Sequence, residues 1–90
     1  MMWNDADIEM HEATALANEI ASVCDPNGRT LNVLQESTLA RRAAETALDA
    51  WVSPAAVIVD MLIDGDFTPV TPDAFDRVHA IACEIIIKET

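Results

Sequence analysis

Two short devices constrain this chain more than anything else in it. Ser53-Pro54 and Thr71-Pro72 each set a capping hydroxyl directly before a proline. The hydroxyl can accept a hydrogen bond from the first free amides of a helix. Proline at the first helical position loses nothing, because its missing N–H would be unpaired there anyway. Each device therefore predicts a helix start. Each is also bracketed by a hydrophobic pair, Val52 with Val57 and Val70 with Phe75, at the spacing of a hydrophobic staple. Composition points the same way. Fifteen alanines favour closely packed helices, and two glycines with four prolines are too few for a sheet protein with frequent turns.

The rest of the chain can be read outward from these restarts. Asn4 or Asp5 can cap a first helix, with Asp7 and Glu9 in its first turn, where the helix dipole favours negative charge. Ala13, Leu16, Ala17, Ile20, Val23 and Cys24 form one stripe at about 100° per residue. His11, Thr14, Asn18 and Ser22 fall opposite. Asp25-Pro26-Asn27-Gly28 then stops the helix with a turn. Thr30 to Gln35 reads as an extended connector, a short strand or an earlier helical turn in another register. From about Glu36 the period returns. Leu39, Ala40, Ala43, Ala44, Ala47, Leu48 and Trp51 line one side, and Arg41, Arg42, Glu45 and Asp49 the other. The third helix follows Ser53-Pro54, is apolar nearly all round, and stops at Asp64-Gly65. The fourth follows Thr71-Pro72 and turns Phe75, Val78, Ile81, Ala82, Ile85 and Ile86 inward. Arg77, Glu84 and Lys88 face away, with Asp73–Arg77 and Glu84–Lys88 at the spacing of helical ion pairs.

The expected fold is all-α. It is a single helical domain over residues 1–90, a compact four-helix bundle with a buried third helix and short loops at about 25–35 and 65–71. The chain is 51% hydrophobic and only 4% aromatic, so its core must be aliphatic. No segment reaches the roughly 20 apolar residues of a membrane span. The opening Met-Met-Trp-Asn-Asp has neither a basic start nor an apolar stretch, so the cytoplasm is the expected compartment.

Charge narrows the function. Sixteen acids against five bases give a net charge of −11. Such a chain is a poor direct partner for nucleic acid or an anionic membrane. The charge is also segregated. Asp5, Asp7, Glu9, Glu12, Glu19 and Asp25 precede the first base, and Asp60, Asp64, Asp66, Asp73 and Asp76 form a second run. Arg29, Arg41 and Arg42 lie between them. Many acids simply occupy helix first turns and outer faces. Adaptation to high salt is a further explanation of the charge, which loss of fold at low salt would identify.

Catalytic chemistry finds little to work with. Asp76 and His79 have the carboxylate–histidine spacing of a di-metal bundle, but a second such pair and two inward glutamates are missing. Asp60, Asp64 and Asp66 do not match a calcium-loop pattern. Cys24 sits at a helix C-terminus beside Asp25, which disfavours its thiolate, and Cys83 borders the core face. In an up-down-up-down bundle the two cysteines are separated by roughly 16 Å along the axis, too far for a disulfide. There is no glycine-rich phosphate loop. No catalytic residues, cofactor or metal are expected.

The expectation is a small, acidic, non-catalytic binding module. It would be an inhibitor or adaptor that occludes a site on a larger protein with a basic surface, itself perhaps nucleic-acid-binding. In size and charge it is like phage-encoded inhibitors of bacterial defence and antitoxins, an analogy and nothing more. The partner-binding candidates are the acids Glu9, Glu12, Glu19, Asp66 and Asp76, with Trp3 or Phe67 as an aromatic anchor. Met1, Met2, Trp3, Trp51, Phe67 and Ile87 fit the core stripes poorly, so a homodimer or docking patch is a further expectation. The alternative is a self-assembling helical protein that holds an anionic ligand such as a nucleotide between subunits, through Arg29, Arg41 and Arg42.

Overall fold

A computed structural model of the chain describes residues 15–89. The expected cap at Asn4 or Asp5, the acidic first turn of Asp7 and Glu9, His11 and Ala13 lie outside these residues. The described chain is a mostly helical four-helix bundle. Helix α1 covers 15–23, and a short strand β1 covers Cys24–Arg29. Helices α2 (Val33–Ala50), α3 (Pro54–Asp64) and α4 (Pro72–Glu89) follow. The core is aliphatic apart from Phe75, and Ile58, Leu62, Val23, Val59, Val70 and Val78 are its most fully enclosed large side chains.

The most extensive contact is between α2 and α4. Glu36 near the start of α2 meets Arg77 near the start of α4. Leu48 near the end of α2 lines a groove with Ile85, Lys88 and Glu89. The two helices therefore run parallel, and α3 returns between them. Alanine makes the closeness possible. Ala40, Ala43 and Ala44 on α2 and Ala74 and Ala82 on α4 are fully covered. Small side chains let two backbones approach, and the larger Leu39, Phe75 and Val78 fill the space around them. Helix α3 supplies Ala55, Val57, Ile58, Val59 and Leu62 to the same core, while its Ile63 stays exposed.

Both hydroxyl–proline restarts begin helices, by different means. Thr71 accepts a hydrogen bond at Oγ1 from the amide of Ala74, at 3.2 Å. Ser53 makes no side-chain cap bond, so Pro54 at the first turn marks that start alone. Val57 is buried, but Val52 remains nearly half exposed, so the staple expected there is loose at its outer end.

Helix α2 begins three residues earlier than its apolar period suggests. Asn32 and Gln35 form a reciprocal capping box: the Gln35 amide donates to Asn32 Oδ1 and the Asn32 amide to Gln35 Oε1. This pair satisfies two free amides and sets the start at Val33. The first loop accordingly ends at residue 32 instead of 35. Val33 and Leu34 then lie on the outer side of the first turn, which is why they fit no core stripe. Leu16 and Ile20 in α1, and Cys24 just after it, pack on the core as expected, but Ala17 is exposed.

β1 is a turn that pairs at its ends. Both Cys24 and Arg29 bridge Val70 in the parallel sense. The Arg29 amide donates to the Pro69 carbonyl, and the Thr71 amide donates back to the Arg29 carbonyl. Between these ends, the Asn27 amide bonds to Asp25 Oδ1 and closes the expected turn. Gly28 is required there. A Cβ at this position would stand 2.7 Å from the Val70 carbonyl carbon and 2.9 Å from two backbone oxygens.

The helix ends also depart from simple patterning. At α3 the left-handed residue is Asp66, with φ of 59°, and Gly65 has an ordinary negative φ. The Phe67 amide bonds to the Leu62 carbonyl and the Asp66 amide to the Ile63 carbonyl. That is a Schellman closure with Asp66 in the place usually held by glycine. At α2 the corresponding residue is Trp51, with φ of 58°. The inward stripe breaks at this point. Trp51 was expected to continue it and is instead 94% exposed.

Candidate functional site

The acids expected to bind a partner divide by position. Glu9, Glu12 and Trp3 lie outside the described residues, as do Met1 and Met2. Glu19 on α1, Asp66 in the α3–α4 loop and Asp76 on α4 are all exposed. Among the described residues there are twelve Asp and Glu side chains, and eleven are exposed. The exception is Glu36, whose side chain is only 7% exposed.

Glu36 is the polar feature that sequence reasoning misses. Its Oε2 accepts a charge-assisted hydrogen bond from Arg77 Nε at 2.5 Å. Arg77 was expected to pair with Asp73 on its own helix. It reaches across to α2 instead, because a carboxylate taken out of water needs a counter-charge more than an exposed one does. Within 4 Å this is the single ion pair among the described residues, so the Glu84–Lys88 pair is not formed. The signal in the sequence is faint: Glu36 falls on the inner side of α2 between Leu39 and Asn32. Its partner stands 41 residues away.

The three arginines expected to clamp an anion are not brought together as one site. Arg29 is committed to the loop after α3, where its Nη1 donates to the Asp66 carbonyl at 3.0 Å. Arg41 and Arg42 are neighbours on the outer side of α2, both exposed. Neither has a carboxylate within 4 Å, so the pairing with Glu45 and Asp49 that ordinary surface arginines would make is absent among the described residues. Arg41 borders two shallow grooves. One runs along α2 past Leu34, Ser37, Thr38, Arg42 and Glu45. The other lies between α2 and α4, with Glu45, Leu48, Ile85, Lys88 and Glu89. Arg42 also borders a third, beside Leu39, Met61, Asp64, Gly65 and Phe67.

Phe67, the second candidate anchor, is partly buried against the core. Its ring edge would lie 3.0 Å from a Cβ placed on Gly65, so ring and glycine fit closely. It fastens the end of α3. The fully exposed aromatic of the described chain is Trp51.

The cysteines are both free. Burial pushes the Cys24 thiol above its ordinary 9.0, and the Asp76 carboxylate adds to the rise. The expected suppression of the Cys24 thiolate thus comes from its own burial and from α4, rather than from Asp25. Cys83 Sγ lies 3.6 Å from His79 Nε2, one turn away on α4. His79 stacks on Phe75 with ring centroids 6.4 Å apart. It edges the core in the way a structural histidine does. Among the described residues no group of three or more His, Cys, Asp or Glu side chains is placed to hold a metal ion. No described helix is long and apolar enough to cross a membrane. Comparison with protein-family models, with curated proteins and with solved structures returns no match to the chain.

Proposed function

We propose that this chain is a small, acidic, non-catalytic binding module. It acts in the cytoplasm as an inhibitor or adaptor, of the phage anti-defence or antitoxin kind, and occludes a basic site on a larger protein. One observation supports this best. Nearly every described carboxylate is exposed and without an ion-pair partner, while the bundle beneath has a continuous buried core. Carboxylates on a stiff scaffold present a fixed negative field, which speeds encounter with a basic surface and selects against acidic ones. Glu19, Asp66 and Asp76 are the described acids of the contact, and Trp51 is the exposed aromatic available to it.

The test is a tagged pull-down from host lysate at low and high salt. A single stoichiometric basic protein, released by salt, is the expected result. Asp66→Lys with Asp76→Lys should weaken its capture and flatten the salt dependence, with the helical circular dichroism unchanged. Equal capture by this variant would remove the electrostatic part of the reading.

A second reading is favoured by the unpaired state of Arg41 and Arg42. An anionic ligand such as a nucleotide would satisfy both, and a ligand that binds only the folded chain raises its stability. A thermal shift on adding ATP, lost in Arg41→Ala with Arg42→Ala, is the expected sign. No shift at millimolar nucleotide would set this reading aside.

A further inference from the structure

We infer that the outer face of α2 is a contact between two copies of this chain, paired antiparallel about a two-fold axis. The inference stands apart from the partner reading above and shares only Trp51 with its surface.

The chain carries five basic side chains. Arg77 is engaged with Glu36, and Arg29 with the Asp66 carbonyl. The remaining three, Arg41, Arg42 and Lys88, all lie along α2 or on the groove beside it. Everywhere else on the described surface the acids are unopposed. Two copies with a net charge of −11 each repel one another through any other face. On α2 the exposed charges balance, with Arg41 and Arg42 against Glu45 and Asp49.

The order of residues is self-complementary. At about 100° per residue, Leu34, Thr38, Arg41, Glu45 and Leu48 share one stripe. Apolar residues stand at both ends and a cation and an anion at the middle. An antiparallel copy, set so that Arg41 meets Glu45 of the second copy, also sets Glu45 against the second Arg41. The same register sets Leu48 against Thr38 of the second copy and Leu34 against the end of its α2, where the exposed Trp51 and Val52 lie. This is the isologous logic of a two-fold interface, in which each contact occurs twice. It accounts for three observations together. Leu34 is 75% exposed in a chain with few large apolar side chains to spare. Arg41 has no carboxylate within 4 Å among the described residues, although Glu45 is one turn away on its own helix. Trp51 is held outward by a left-handed backbone that leaves it without a core.

Sedimentation equilibrium tests this with the intact chain and charge-swapped variants, over concentrations on the order of 1 to 500 µM. The expected result is a reversible monomer–dimer equilibrium. Arg41→Glu alone and Glu45→Arg alone should each raise the dissociation constant at least about tenfold, because each sets like charges opposite one another. The double variant carrying both changes should return to within about threefold of the original. Leu34→Asp should weaken the dimer as strongly as either single swap. All of these positions are exposed, and unchanged circular dichroism confirms folding. A chain that stays monomeric throughout, or a dimer indifferent to the single swaps, overturns the inference. So does a dimer that forms only when ATP or inorganic phosphate is added, which would assign the arginines to an anionic ligand.

Discussion

The inner and outer sides of α2 are built from the same eighteen residues and obey opposite rules. The inner side is Leu39, Ala40, Ala43, Ala44 and Ala47, all buried. These residues are covered within the chain, where α2 packs on both α3 and α4. The outer side carries Leu34, Arg41, Glu45 and Leu48, with charges that find no partner within 4 Å among the described residues. A core face is explained by what it touches. The outer face leaves Leu34 exposed and its arginines without an ion-pair partner among the described residues, and the dimer proposed above rests on that difference. Circumstances that change packing should therefore act on the inner side, and circumstances that change association on the outer.

The largest expected effect is on the inner side. Ala43→Leu adds three carbons to a position with no free volume and should cost about 3 kcal/mol of stability. Thr38→Leu, which places the same leucine on the outer side, should change monomer stability by less than about 0.5 kcal/mol. Urea denaturation of both variants checks the contrast, and similar losses would erase the distinction between the two sides.

Next in size is the one charge that the inner side does carry. Arg77→Ala leaves Glu36 buried without its counter-charge and should cost about 2 kcal/mol. The Arg77 side chain is about half exposed, so water moderates the loss. Removing both charges, as Glu36→Leu with Arg77→Met, should recover most of it. A double variant no more stable than the single would show that the pair contributes through more than its charge.

Trp51 marks the place where the two sides meet at the helix end. A non-glycine residue in the left-handed region costs about 1 kcal/mol or more. Trp51→Gly should therefore stabilise the monomer by about 1 kcal/mol in thermal unfolding. The same change should weaken association, so stability and assembly would move in opposite directions. A destabilised monomer would mean that the indole contributes to the fold after all.

The smallest effect concerns Cys24, half-buried at the start of β1, which packs on α4. Its thiol titrates above the ordinary 9.0, so the folded state holds that proton more tightly than the unfolded chain does. The resulting stability is complete below pH 9 and is lost as the pH rises through the folded value. Cys24→Ala should flatten the alkaline part of the stability curve and leave its neutral slope alone. Cys24 should also react with iodoacetamide at pH 8 more slowly than it does in the urea-unfolded chain. Equal rates would place the thiol in open solvent.

Much of the bundle was legible in local chemistry. The starts of α3 and α4 are carried by neighbouring residues, Ser53-Pro54 and Thr71-Pro72. Both restarts hold, although only Thr71 bonds through its hydroxyl. The start of α2 was harder to read, because its cap uses Asn32 and Gln35 and its first apolar residues point outward. Periodicity assigns apolar residues to a core, so it carried Trp51 inward past the point where the backbone changes hand. The left-handed positions themselves fell on Trp51 and Asp66, neither of them the residue that local preference favours. The Glu36–Arg77 pair was hidden for another reason. It joins residues 41 apart, and only the packing of α2 on α4 makes them neighbours. The candidate site was legible as a charge pattern. Which arginines are already engaged, and which face that leaves with the free ones, depends on the fold.

The most direct test of the contrast is methyl NMR of leucine and valine side chains across a dilution series. Signals of Leu34, Leu48 and Val52 should move with concentration, and those of Leu39, Leu62 and Val78 should stay fixed. Signals that never move, or that move equally in the core and on the outer face, would contradict the account.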